Sequence, residues 1–190
     1  MKIFFFIFLI LLTSSKILNA QNLSKAYFAG GCFWCMEESF EKINGVTEVI
    51  SGYSGGTTKN PSYKEVTYGD AGHFETIEII YDSSAISYQK LLDNFWINID
   101  PFDEYGQFCD KGYSYRSVAF YQNQKQKILI EDSIKKIEKK FQKKVLTYIK
   151  EFDEFYKAED KHQNYYQEYF LNYLRYKKAC RREKILNNIW

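Results

Sequence analysis

The chain has 190 residues, room for one domain of ordinary size. Hydrophobic residues make up 45% and charged residues 26%, which excludes a disordered chain, while 2 Pro and 10 Gly exclude collagen-like and Pro-rich architectures. Four Cys are too few for a disulfide-built scaffold, and a formal net charge of +2 carries no nucleic-acid signature.

Lys2 precedes an apolar run over 3–12, followed by Thr13-Ser14-Ser15 and Leu18-Asn19-Ala20. That is the layout of a secretory signal. The run is too short to span a bilayer, which takes about 20 apolar residues. An uncleaved anchor or a buried helix is the other reading. The expectation is a signal peptide over 1–20, cut after Ala20, and one domain over 21–190 that is exported, periplasmic or extracellular. Leu18 is large for its place before the cut, so the exact bond stays open. Residues 21–120 hold 7 basic and 14 acidic side chains, and residues 121–190 hold 17 and 10. The bland reading of the basic half is a solvated Lys-rich helix face, with Ile134, Ile137 and Phe141 interleaved on the other side.

Residues 26–29 form a short apolar segment ending at Gly30-Gly31, and a helix pattern covers 33–42. A β-like stretch over 46–53 ends at Ser54-Gly55-Gly56, and 57–72 are rich in turn residues. Residues 73–81 alternate as a strand, with Glu75, Ile77 and Ile79 on one face and Phe74, Thr76 and Glu78 on the other. Ser87 caps a helix over 90–99, and 100–114 read as a long polar loop. A strand over 116–121, a helix to about 140 and a strand over 145–152 follow. Residues 158–190 are helical or irregular. Alternating strands and helices predict an α/β (α+β) fold, helices packed on a mixed sheet.

The chemistry concentrates at Gly30-Gly31-Cys32-Phe33-Trp34-Cys35. Two glycines allow a sharp turn after a strand, and Cys32 falls at the start of the next helix. Free N–H groups and the positive helix end there favour a thiolate. Cys35 lies one helical turn on, within disulfide reach. Two buried structural cysteines or half a zinc site are the competing readings. Zinc needs a second ligand pair, and Cys109 and Cys180 stand alone, so no metal is expected. A Cys-x-x-Cys pair in an exported chain favours redox work.

These residues also resemble the peptide methionine sulfoxide reductase A family. Further pieces match in family order: Val-x-x-Gly-Tyr-Ser-Gly-Gly at 49–56, Pro-Ser-Tyr-Lys-Glu-Val at 61–66 and Gly-His-Phe-Glu at 72–75. Phe-Trp at 95–96, Asp-x-Gly-x-x-Tyr-Arg-Ser at 110–117 and Ala-Glu-Asp-x-His-Gln at 158–163 complete the set. The resemblance implies a two-layer sandwich with a long C-terminal segment wrapped around it. It implies reduction of methionine-S-sulfoxide, free and in oxidised proteins, with no cofactor and with a thioredoxin-like electron donor. It makes Cys32 the nucleophile and Glu75 the acid. It gives Tyr63 and Tyr115 the sulfoxide oxygen, Phe33 and Trp34 the S-methyl group, and Asp110 the orientation of substrate or tyrosines. By residue type alone, Glu75 serves equally as a solvent-facing strand carboxylate, the tyrosines as core or surface aromatics, and Asp110 as a loop cap.

After attack, Cys32 becomes a sulfenic acid that condenses with a second thiol. Cys35 is the first choice by proximity. Cys180 is second, with Arg181 and Arg182 beside it, and Cys109 third, beside Asp110. His73 and His162 read as structural hydrogen-bonders. The further expectations are a monomer, no nucleic-acid partner and no stable membrane insertion. The competing enzyme class is a thioredoxin-like thiol–disulfide oxidoreductase, which wants a strand-flanked Pro that neither Pro61 nor Pro101 supplies.

Overall fold

The β-branched and aromatic runs of the chain form a six-stranded mixed sheet in the computed structural model, which describes residues 22–190. The signal-peptide expectation lies outside those residues. β1 (Leu23–Gly30) leads into α1 (Phe33–Glu41), β2 (Val46–Ser54), α2 (Tyr63–Tyr68), β3 (Phe74–Asp82) and α3 (Tyr88–Ile97). A small hairpin, β4 (Gly106–Gln107) and β5 (Asp110–Lys111), precedes β6 (Ser117–Tyr121), α4 (Gln124–Phe141), β7 (Tyr148–Glu151) and β8 (Phe155–Lys157). The tail carries α5 (Tyr165–Glu168), α6 (Phe170–Cys180) and α7 (Arg182–Ile189).

The strand order is β7-β6-β1-β3-β2-β8. Every neighbouring pair is antiparallel except β6 and β7, which run parallel because α4 carries the chain back across the sheet. Period-2 alternation divides the side chains. Phe28 of β1 and Ile77 and Ile79 of β3 join Met36, Phe40, Leu91, Leu92, Phe95 and Ile130 in the main core under the helices. Phe28 stacks on Phe95 with ring centroids 4.7 Å apart. Tyr27, Ala29, Phe74, Val118 and Phe120 face the other side, covered by Phe152 and Phe155. Each fully buried aliphatic or Phe side chain contributes about 1.5–3 kcal/mol by leaving water.

The helices begin where capping chemistry permits. Ser87 accepts the Lys90 N–H at 3.3 Å, and Asn123 accepts the Gln126 N–H at 3.0 Å. Ser62 and Glu65 form a reciprocal capping box for α2. The sequence reading left α2 inside a turn-rich segment, since six residues between Pro61 and Gly69 show too little periodicity. The strand expected over 145–152 forms as the shorter β7, and β8, at the opposite edge of the sheet, has no counterpart in that expectation.

The tail doubles back over α1. The Asn164 N–H donates to Glu37 at 2.9 Å, the Tyr173 hydroxyl to Glu38 at 2.6 Å, and the Lys177 ammonium to the same Glu38 carboxylate at 2.7 Å. Gln163 bonds Ser51 in both directions, at 3.1 and 2.9 Å. Among the described residues, no helix is long and apolar enough to cross a membrane.

Candidate active site

β1 delivers the chain to the site through Gly30-Gly31. A Cβ on Gly30 would stand 2.6 Å from the Met36 sulfur, and Gly31 takes φ +77°, open to glycine and few others. Cys32 is the N-cap of α1, with its carbonyl accepting the Cys35 N–H at 3.1 Å. The expected helix-start position is therefore met. Its electrostatic consequence is different: burial pushes the Cys32 thiol well up, outweighing the helix end. The hydrogen bond from Cys32 brings the Cys35 thiol down to about 6, helped by Arg182 and Tyr173. Of the two buried thiols, Cys35 is the more acidic.

Glu75 faces the same side of β3 as Ile77 and Ile79, 1% exposed. Its carboxyl accepts the Phe33 N–H at 3.0 Å, at the start of α1. Burial drives it well above the usual carboxylate range, with Asp110 and Cys35 adding to the rise. The carboxyl is therefore held as a neutral acid.

Cys32, Glu75, Tyr63 and Tyr115 line one small cavity of about 100 Å³, closed by Phe33, Trp34, Asp110 and Tyr176. α2 supplies Tyr63, and the turn before β6 supplies Tyr115. Burial beside Glu75 raises both phenols, Tyr63 to about 12, so both stay protonated donors. Trp34 is held flat against Tyr165 at 3.7 Å and meets Tyr176 edge-on at 5.9 Å. The residues expected on sequence grounds for the chemical step thus share one cavity.

The sequence reading missed Tyr176. Its hydroxyl donates to Asp110, and the residue lines the cavity beside Cys32. It is one of 17 tyrosines, on a tail whose return over the site no local pattern announces.

Cys109 and Cys180 form a disulfide with a Cα–Cα distance of 4.9 Å, while Cys32 and Cys35 are free thiols. The bridge ties α6 to the Asp110 hairpin. Cys109, Asp110 and Cys180 are also the one group of potential metal ligands within 4.8 Å among the described residues, with both thiols engaged in the bridge. His73 is a hydrogen-bonder as read: Nδ1 accepts the Gly56 N–H at 3.1 Å and Nε2 meets the Thr58 carbonyl at 2.7 Å. His162 is not. Neither ring nitrogen finds a hydrogen-bond partner among the described residues, and the ring packs against Tyr63 at 4.5 Å and Phe33 at 5.3 Å. Burial lowers its basicity, so it stacks as a neutral aromatic.

A family model described as peptide methionine sulfoxide reductase matches residues 24–190. The chain belongs to the peptide methionine sulfoxide reductase family. The relative from Listeria monocytogenes serotype 4b (strain CLIP80459), peptide methionine sulfoxide reductase MsrA, is 42% identical over 175 residues, spanning 91% of this chain and 99% of the relative. Mxr1 of Saccharomyces cerevisiae in reduced form superposes with a TM-score of 0.72 at 28% identity, over 77% of this chain and 85% of that one. Methionine sulfoxide reductase A of Corynebacterium diphtheriae gives 0.71 at 28% identity, over 79% and 76%. The mixed sheet is thus that of a methionine sulfoxide reductase.

Proposed function

We infer that the protein reduces methionine-S-sulfoxide, free and in oxidised proteins, to methionine. The carrying observation is the single cavity that joins a buried thiol, a neutral buried carboxyl and two phenol donors. Tyr63 and Tyr115 donate to the sulfoxide oxygen, and Trp34 and Phe33 receive the methyl group on sulfur. Glu75 passes its proton to that oxygen. As Cys32 attacks, its proton moves to the Cys35 thiolate. The S–O bond breaks, methionine leaves, and the oxygen remains on Cys32 as a sulfenic acid. Methionine sulfur has gained two electrons and Cys32 has lost two.

Cys35 then attacks the Cys32 sulfur. The oxygen departs as water with the Cys35 proton, leaving a Cys32–Cys35 disulfide. Cys109 and Cys180, bridged to one another, are the reserve candidates for this step. None of the steps draws on a metal or organic cofactor. A dithiol protein of thioredoxin type returns the enzyme to the thiol form. Yeast Mxr1 has been solved in complex with Trx2, which supports that class of donor. The basic and apolar start of the chain supports export, where a donor outside the cytoplasm is required. The protein acts as a monomeric single domain.

The test is a single-turnover assay with each sulfoxide epimer. Methionine from the S epimer alone, one per enzyme without reductant, supports the reading; equal use of both epimers, or none, overturns it. A thiol–disulfide oxidoreductase would instead reduce insulin disulfides and leave the sulfoxide intact.

A further inference from the structure

Cys35 opens on a different cavity from Cys32. This second space, about 360 Å³, lies against α1, α6 and α7 and is lined by Glu38, Lys42, Asn98, Tyr173, Lys177 and Arg182 beside Cys35. The two cavities share no lining residue. The 100 Å³ space at Cys32 fits the substrate's reacting group and is roofed by Trp34 and Tyr176.

Arg182 is the unexplained group here. It is 4% exposed, yet among the described residues no carboxylate lies within ion-pair distance of it. Its guanidinium donates to the Asn98 carbonyl at 2.5 Å, the Gly30 carbonyl at 3.4 Å and the Met36 sulfur at 3.2 Å. Neutral acceptors fix its position without cancelling its charge. A buried cation without a counter-ion is costly. Of the anions lining the same cavity, Glu38 is already paired by Lys42 and Lys177 and Glu183 is exposed, which leaves the buried Cys35 sulfur.

We propose that the reducing dithiol enters through this second cavity and attacks Cys35, with Arg182 as the positioning residue that steadies negative charge on the Cys35 sulfur. The inference rests on the reductase reading above and concerns only the return to the thiol form. Disulfide exchange needs the attacking sulfur in line with the bond it breaks and access to the sulfur attacked. Entry from the Cys35 side gives that access, with Cys32 departing toward its own cavity. The donor thiolate bonds to Cys35, the Cys32–Cys35 bond breaks, and Cys32 leaves and takes one donor proton. The donor's second thiol gives its proton to solvent, Glu75 takes one proton from solvent on its own side, and the second thiolate attacks the donor sulfur of the mixed disulfide. Cys35 is released as a thiolate beside Arg182. The donor ends as a disulfide, having given two electrons, and Glu75 is again a neutral acid.

The charged surroundings match this entry. Despite partial burial, Lys177 and Lys42 hold Glu38 ionised, with its pKa at about 2. Those two ammonium groups and Arg182 outnumber Glu38 and Glu183 around the cavity, a setting that draws in a thiolate. Cys35 itself is faced by Cys32 from its own helix start, Tyr173 from α6, Arg182 from α7 and Asp110 from the hairpin.

The experiment separates the two half-reactions. Enzyme oxidised by one equivalent of substrate is mixed with a thioredoxin whose second cysteine is serine, and the trapped mixed disulfide is mapped by mass. A bond to Cys35 is expected; a bond to Cys32 overturns the proposal. Arg182→Met should slow reduction of the Cys32–Cys35 disulfide roughly tenfold or more, leave methionine per enzyme in a single turnover at one, and move the 240-nm thiolate titration upward. Arg182→Lys should recover part of both. Lys177→Glu, on the cavity rim, gives a second measurement in a half-exposed position and should also slow reduction. Reduction rates unchanged in both Arg182→Met and Lys177→Glu overturn the proposal. Wild-type enzyme that forms no methionine in a single turnover sinks the functional reading instead.

Discussion

Glu75 shows how much a carboxyl's role depends on which strand face becomes buried. The alternation of 73–81 places it with Ile77 and Ile79, but a single strand does not say which face meets the helices. The sheet decides it, because Phe28 and Ile77 bury toward α1 and α3. Glu75→Gln should fold and bind substrate, yet slow single-turnover methionine formation by roughly 10²–10⁴-fold. In the wild type, the chemical step needs the protonated acid. Because burial raises the Glu75 pKa, the rate should fall on the alkaline side as the proton is lost. That limb should be missing in Glu75→Gln, and its persistence would show that another group supplies the proton. Cys32→Ser should form no methionine at all in the same assay.

At the scale of elements, the first turn of α1 carries both thiols, and that much is legible in the spacing of Cys32 and Cys35. What spacing does not show is how they divide the charge. Burial of Cys32 and the arrival of Arg182 from α7 reverse the simple helix-end expectation. Cys35→Ser should therefore still form one methionine per enzyme, more slowly, and should fail in multiple turnovers with a thioredoxin-type donor. Steady multiple turnovers in that variant would transfer the resolving role to Cys180 or Cys109. α6 contributes the element that sequence could not place. Tyr173 and Tyr176 sit one turn apart and reach Glu38 and Asp110 respectively. Tyr176→Phe removes a hydrogen bond, worth about 1.5–3 kcal/mol to folding, that anchors the half-buried Asp110 carboxylate at the cavity wall, and the chemical step should slow with it. A rate within twofold of wild type would make Tyr176 a wall residue only.

Across the whole molecule, the tail turns a sheet with an open helix end into a closed site. Residues beyond 158 gave weak local signals because their burial depends on partners more than a hundred positions away, such as Asn164 with Glu37. The Cys109–Cys180 bridge fastens this tail across a separation of 71 residues. Loop-closure entropy assigns such a bridge about 4.4 kcal/mol. The Cys109→Ser/Cys180→Ser double variant should melt several degrees lower and be cut by protease near the α6–α7 junction, while keeping multiple turnovers through Cys35. Loss of turnover with unchanged melting would give the bridge a catalytic role.

Glu37 sets the pH range over which the tail holds. It is fully buried at the junction of α1, β2 and the tail, accepting from Asn164 at 2.9 Å and Ser51 at 3.2 Å. Burial outweighs these bonds and raises its pKa from 4.5 to about 7. The folded state thus binds the proton more tightly than the unfolded chain. Below the unfolded pKa both states are protonated and the group has no pH-dependent effect. As pH rises from about 4.5 to about 7, the unfolded chain releases its proton first and stability falls; above about 7 the loss is complete. Gln keeps the acceptor for the Asn164 N–H without the buried charge. Glu37→Gln should therefore match the wild type near pH 4 and exceed it at pH 8 by about 1–3 kcal/mol. Urea unfolding at both pH values checks the sign. A variant less stable than wild type at pH 8 would mean that the ionised carboxylate, rather than the neutral acid, is the form that docks the tail.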